Sequence, residues 1–180
     1  MRRVRKSLAA LALTLTVAAS FASASSEQGV GETATGREIR KQILALPYYG
    51  VFDNIGYTLD GTSVTLSGQV VRPTTRQDIE RRVARVKGVD RVVNNIEVLP
   101  LSSFDDTIRV RAYRAVFSTG GLSRYSMGAN PAVKIIVNHG HVTLEGLVLN
   151  KSDKQLAFIA ANGVPGVFSV TNNLRVEREN

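Results

Sequence analysis

Residues 64–98 of this 180-residue chain align without a gap on residues 142–176, at a constant offset of 78. Thirteen of the 35 aligned positions are identical. Val64-Thr65-Leu66 repeats as Val142-Thr143-Leu144, and Gly68 repeats as Gly146. Val86, Gly88, Val89, Val92, Asn94 and Asn95 repeat as Val164, Gly166, Val167, Val170, Asn172 and Asn173. Such a chain folds as two copies of one small module. Its function is then what a repeated module can do, and one large active site is not expected.

The N-terminus reads differently. Arg2, Arg3, Arg5 and Lys6 precede an apolar run of 12 residues, Leu8 to Ala19, and an A-x-A site at Ala22-Ser23-Ala24. That run falls short of the about 20 residues that cross a bilayer. The pattern predicts a secretory signal peptide over residues 1–24, with an uncleaved anchor helix as the alternative. The sequence has no cysteine, which excludes disulfide staples and acylation as a lipoprotein. Each copy must therefore be held by its own core.

Without residues 1–24 the chain has nineteen basic and fifteen acidic side chains, a net charge of +4. Residues 37–99 carry ten Lys/Arg and seven Asp/Glu, whereas residues 107–176 carry eight and only two, Glu145 and Asp153. The second copy is the one expected to meet an anionic surface.

Residues 25–35 are a small, polar lead-in. Thr35-x-x-Glu38 reads as a capping box opening a helix, with Ile39, Ile43 and Leu46 as its apolar stripe. Alternation over Ile55–Leu59, a turn at Asp60-Gly61 and a run from Val64 to Val71 predict a hairpin. Thr74-x-x-Gln77 opens a second helix, Gly88 stops it, and Arg91–Leu99 is the last strand. The unit is αββαβ, over residues 36–99 and again over 104–177. The five residues Leu99–Ser103 span at most about 17 Å, so the copies lie side by side.

In the second copy, a helix begins near Ser103 to Asp106 and faces Ile108, Ala112 and Ala115 inward. Strands follow at Val133–Val137 and Val142–Leu149, then a helix capped by Ser152-x-x-Gln155 and a strand at Ser169–Val176. Ser118 to Pro131 is an insertion, nine residues longer than the matching loop.

The pattern V-T-L-x-G-x-V, a helix, then V-x-G-V-x-x-V-x-N-N-[IL]-x-V resembles the BON domain, and both copies carry it, at Val64–Val98 and Val142–Val176. The resemblance implies an α+β fold in which two helices pack on a three-stranded mixed sheet in each copy. Tandem BON modules behind a signal peptide are similar to the osmotically inducible periplasmic proteins of Gram-negative bacteria. The missing cysteine sets the chain apart from the family's lipoproteins. What the resemblance implies is a periplasmic, non-enzymatic module that binds phospholipid or other envelope components. A protein-interaction or stress-protective factor without lipid affinity is the other reading.

Candidate binding residues lie on the first helix of the second copy. Val110, Tyr113 and Phe117 fall opposite the inward stripe, flanked by Arg109 and Arg114. An apolar helix face rimmed by cations suits an anionic phospholipid interface. Burial against the first copy or under the insertion is the commoner fate of such a face. The next helix reads LAFIAANG after Gln155, without a charge, which predicts burial on more than one side and places Leu156 and Ile159 between the copies.

No catalytic residues, metal site or cofactor are expected. The two histidines, His139 and His141, share one turn and lack a third ligand nearby in sequence. Gly163-Val164-Pro165-Gly166 matches the GxxG of KH modules, but it runs from a helix into a strand, so nucleic acid is not an expected partner.

Overall fold

The repeat in sequence is a repeat of geometry. The computed structural model describes residues 33–177; the signal peptide expected over residues 1–24 lies outside them. Module one comprises α1 (Ala34–Leu44), β1 (Asn54–Asp60), β2 (Ser63–Val70), α2 (Pro73–Val83) and β3 (Arg91–Val98). Module two comprises α3 (Ser103–Ser118), β4 (Val133–Asn138), β5 (His141–Val148), α4 (Lys151–Asn162), β6 (Ser169–Asn172) and β7 (Arg175–Val176), with a short 3-10 helix at Leu122–Ser126 inside the insertion. The expected last strand of module two is split in two, with regular strand geometry interrupted at Asn173-Leu174.

Each sheet is mixed, as expected. In module one the order is β1-β2-β3, β1 antiparallel and β3 parallel to the central β2. Module two repeats this with β4-β5-β6, and β7 continues the parallel pairing along β5. Alternation buries Val64, Leu66 and Val70, and likewise Val142, Leu144 and Val148. The helices add Ile39, Ile43, Ile79 and Val83 to one core, and Ile108, Ala112, Val116, Ala157 and Ala161 to the other.

Two repeated residues show why the motif recurs. Gly68 and Gly146 have φ of +119° and +118°, and a Cβ there would stand 2.1 Å from the Asn54 carbonyl oxygen or 2.0 Å from that of Ala132. Only glycine fits a backbone that close. Asn94 Nδ2 donates to the Arg76 carbonyl at 3.1 Å, and Asn172 Nδ2 donates to that of Lys154 at 2.9 Å. One asparagine in each module thus ties its third strand to its second helix.

Helix starts differ from the capping boxes read in sequence. Thr33, not Thr35, caps α1, accepting from Gly36 N–H at 3.0 Å. Arg72 precedes α2, whose first residue is Pro73, and no side chain caps it. Asn150, not Ser152, caps α4 by accepting from Asp153 N–H at 2.8 Å. In each case the helix begins two residues earlier or at the proline, where the φ of Pro73 suits a first helical turn.

The modules touch through the segment before β1. The Val51 carbonyl accepts from Ile135 N–H at 2.8 Å on the outer side of β4, and Lys134 Nζ donates to the Gly50 carbonyl at 3.0 Å. Val51 and Phe52 pack against the core of module two. The insertion folds back onto its own module: Leu122 and Tyr125 are buried, and the Tyr125 hydroxyl bonds Asp153 at the start of α4.

Candidate functional site

Helix α3 carries the candidate site. Ser102 caps it by accepting from Asp105 N–H at 3.1 Å, and Asp105 and Asp106 sit in its first turn, where acids suit the positive helix end. The buried Asp105 carboxylate also accepts from the N–H groups of His139 at 2.9 Å and Gly140 at 2.8 Å. This locks the β4–β5 turn against the helix start.

Gly140, at φ +78°, lies so close to Phe168 that a Cβ would stand 2.6 Å from its ring. Phe168 in turn meets Phe104, the ring centroids 5.8 Å apart, and His141 at 5.9 Å. The His141 ring is held by Ser169 Oγ at 2.7 Å. Phe104 is 46% exposed and Phe168 69%. Two aromatic rings therefore stand in solvent at one end of the module.

They continue into a cationic helix face. Residues 104, 107, 111 and 114 share one side of α3 by helical spacing, with Val110 at its margin, and all five are exposed. Arg111 Nη1 reaches the Pro165 carbonyl at 3.3 Å, and the Arg114 side chain has no partner among the described residues. None of these residues is acidic. Asp106, elsewhere on the helix, is paired with Arg109.

The five residues read from sequence divide. Val110 and Arg114 are exposed as the wheel places them. Arg109 is not on a rim: it is 3% exposed, with Nη2 donating to the Val137 carbonyl at 2.9 Å. Phe117 is buried in the core of module two. Tyr113 lies at the joint, edge-on to Phe117 at 4.9 Å and to Phe52 of module one at 6.3 Å. The pairing of Leu156 and Ile159 between the modules is corrected. Ile159 is 57% exposed, and Leu156 packs on its own module's core beside Gly120. The modules meet instead at β4, at Tyr113 of α3, and where Asn130 Nδ2 of the insertion donates to the Leu44 carbonyl at 3.2 Å. Phe104, Arg111 and Phe168 were missed. The spacing of 104, 111 and 114 was available in sequence, but nothing in the sequence brings Phe168 to Phe104.

Titration behaviour separates the joint from the surface. Burial lowers the Lys134 ammonium to about 8, against the opposing pull of Asp53, while its Nζ sits 4.3 Å from the centre of the Tyr49 ring. Burial pushes the Tyr49 phenol up to about 12. At the insertion, burial works to raise the Asp153 carboxyl, but bonds from Tyr125, Arg124 and Asn150 hold it below its ordinary value. Among the described residues no group of three or more His, Cys, Asp or Glu side chains comes together, and no helix is long and apolar enough to cross a membrane.

The BON-domain profile matches residues 32–100 and 105–178. The chain belongs to the BON-domain family. BON domains bind phospholipids or other envelope components, and the family is generally non-catalytic. No curated protein matches this BON-domain chain. Among solved structures it is similar to the C-terminal domain of CdsD, the structural protein of the type III secretion system of Chlamydia trachomatis. That match has 10% identity and a TM-score of 0.34, over 83% of this chain and 100% of the other. A second CdsD structure is similar at 11% identity and a TM-score of 0.27, over 77% and 90%. Neither score carries an argument about this chain.

Proposed function

We propose that this chain is an exported, non-enzymatic envelope protein that docks on anionic phospholipid through its second BON module. Export rests on the pattern of residues 1–24. The observation that carries the docking is the exposed face of α3, where Phe104 and Phe168 stand beside Arg111 and Arg114 with no acid among them. Aromatic rings enter the boundary between headgroups and acyl chains, while guanidinium groups meet phosphates. Each cation near an anionic bilayer contributes about 1 kcal/mol, so two of them with two rings give weak, salt-sensitive binding.

Sedimentation with phosphatidylglycerol vesicles across a salt series tests this. Binding should fall as salt rises, be absent on phosphatidylcholine, and weaken by about tenfold or more in Arg114→Glu. No binding even at low salt overturns the reading. A protein partner that stays bound in high salt, with vesicles ignored, would assign the same face to protein recognition.

A further inference from the structure

We propose that the first BON module holds a separate site for a phosphate-bearing group, in a cleft between α1 and the end of α2. Glu38, Gln42, Arg82, Arg85, Val86 and Lys87 line a space of about 540 Å³. That is within the range of small-ligand sites, about 300–1,000 Å³. The cleft's charges are unbalanced. Glu38 is its one acid, and that carboxylate is already engaged: it accepts from Gln42 Nε2 at 2.7 Å and pairs with Lys41 at 3.6 Å. The side chains of Arg82, Arg85 and Lys87 have no partner among the described residues.

Two other cations of α2 are satisfied. Arg81 pairs with Asp78, and Arg76 reaches the Asn94 carbonyl at 3.5 Å. Arg82, Arg85 and Lys87 thus face one cleft without a counter-charge, and cations held together in that way repel one another. An anion between them would relieve that repulsion. The carbonyls at the end of α2 oppose it with roughly half a negative charge, which three cations outweigh. Two guanidinium groups favour phosphate, whose oxygens accept forked pairs of N–H bonds. The chemistry is shared by a phospholipid headgroup and a soluble phosphate compound. This site lies in module one and stands whether or not the α3 face meets a bilayer.

Amide NMR of the full chain at low salt, titrated with inorganic pyrophosphate, tests it. Saturable shifts should concentrate at 38–42 and 82–88, and the double variant Arg82→Gln/Arg85→Gln should weaken the apparent affinity by about tenfold or more. Both arginines point into an open cleft, and a thermal melt of the variant verifies its fold. A second titration uses short-chain phosphatidate. Shifts at the same residues with both probes assign a headgroup, and shifts with pyrophosphate alone assign a soluble ligand. The proposal is overturned by an absence of saturation, by equal shifts on the basic residues of module two, or by an unchanged affinity in the double variant.

Discussion

Arg109 closes the open edge of β4: its Nη2 donates to the Val137 carbonyl at 2.9 Å. β4 is the outermost strand of its sheet, and a bare edge offers unpaired backbone groups to other chains. The Val51 carbonyl takes the N–H of Ile135 on the same side. A side chain of module two and a loop of module one therefore share the work of covering one strand. Arg109 is buried because of this, although the helical wheel sets it at the margin of an outward face.

Arg109→Ala should consequently act on stability. Loss of the bond to Val137 and of the packed stem should destabilise by about 2 kcal/mol in urea unfolding. Arg114→Ala, on the exposed face, should change stability by no more than about 0.5 kcal/mol. Equal effects in the two unfolding curves would contradict the placement of these side chains.

Gly68→Ala and Gly146→Ala should be matched in severity. Each would force a Cβ to within 2.1 Å or 2.0 Å of a backbone oxygen, at φ near +119°. A loss of about 3 kcal/mol or more is expected at either site, read by chemical denaturation. Tolerance of alanine at one site and not the other would show that the two modules do not share this close backbone approach.

Lys134 predicts an alkaline trend. Its folded pKa of about 8 lies below the ordinary 10.5, so between these values the unfolded chain binds more protons than the folded one. Stability should therefore rise as pH increases through that window, by on the order of 3 kcal/mol at most. Lys134→Met should flatten the rise and be neutral or stabilising at pH 7, since it removes a buried charge while filling similar space. Unfolding curves from pH 7 to about 10.5 measure both.

Acid should act at the other end of module two. The Asp153 carboxyl is held below its ordinary value, so its contribution is present above that value and lost as pH falls through the depressed one. The Tyr125 hydroxyl bonds Asp153 and also accepts from Leu149 N–H at 2.9 Å. Tyr125→Phe should cost about 1–2 kcal/mol at neutral pH. That difference should narrow in acid, when the carboxylate is protonated in both proteins. A difference independent of pH would separate Tyr125 from the Asp153 titration.

The order of elements was legible because its signals are local. Alternating valines and leucines in β2 and β5 mark a half-buried strand wherever they occur. Gly88 and Gly166, at φ +90° and +95°, do not stop the helices: α2 and α4 end earlier, at Val83 and Asn162, and these glycines stand in the turns that follow. Helix starts were less legible. Thr33 and Thr35 are both sound caps, and so are Asn150 and Ser152. The residue that serves is the one whose backbone is extended just before the helix, Thr33 at ψ 160° and Asn150 at ψ 168°.

The site was legible only in its angles. Spacing along α3 tells which residues share a side, and it placed Val110 and Arg114 outward. It is silent about what else comes near. The loop before β1 brings Phe52 edge-on to Tyr113, the edge of β4 draws in Arg109, and Phe168 joins Phe104 from 64 positions away. Period and turn chemistry arise between residues a few positions apart, so they can be read along the chain. Burial of an outward-facing side chain arises from surfaces distant in sequence, and it exists only once the modules have packed.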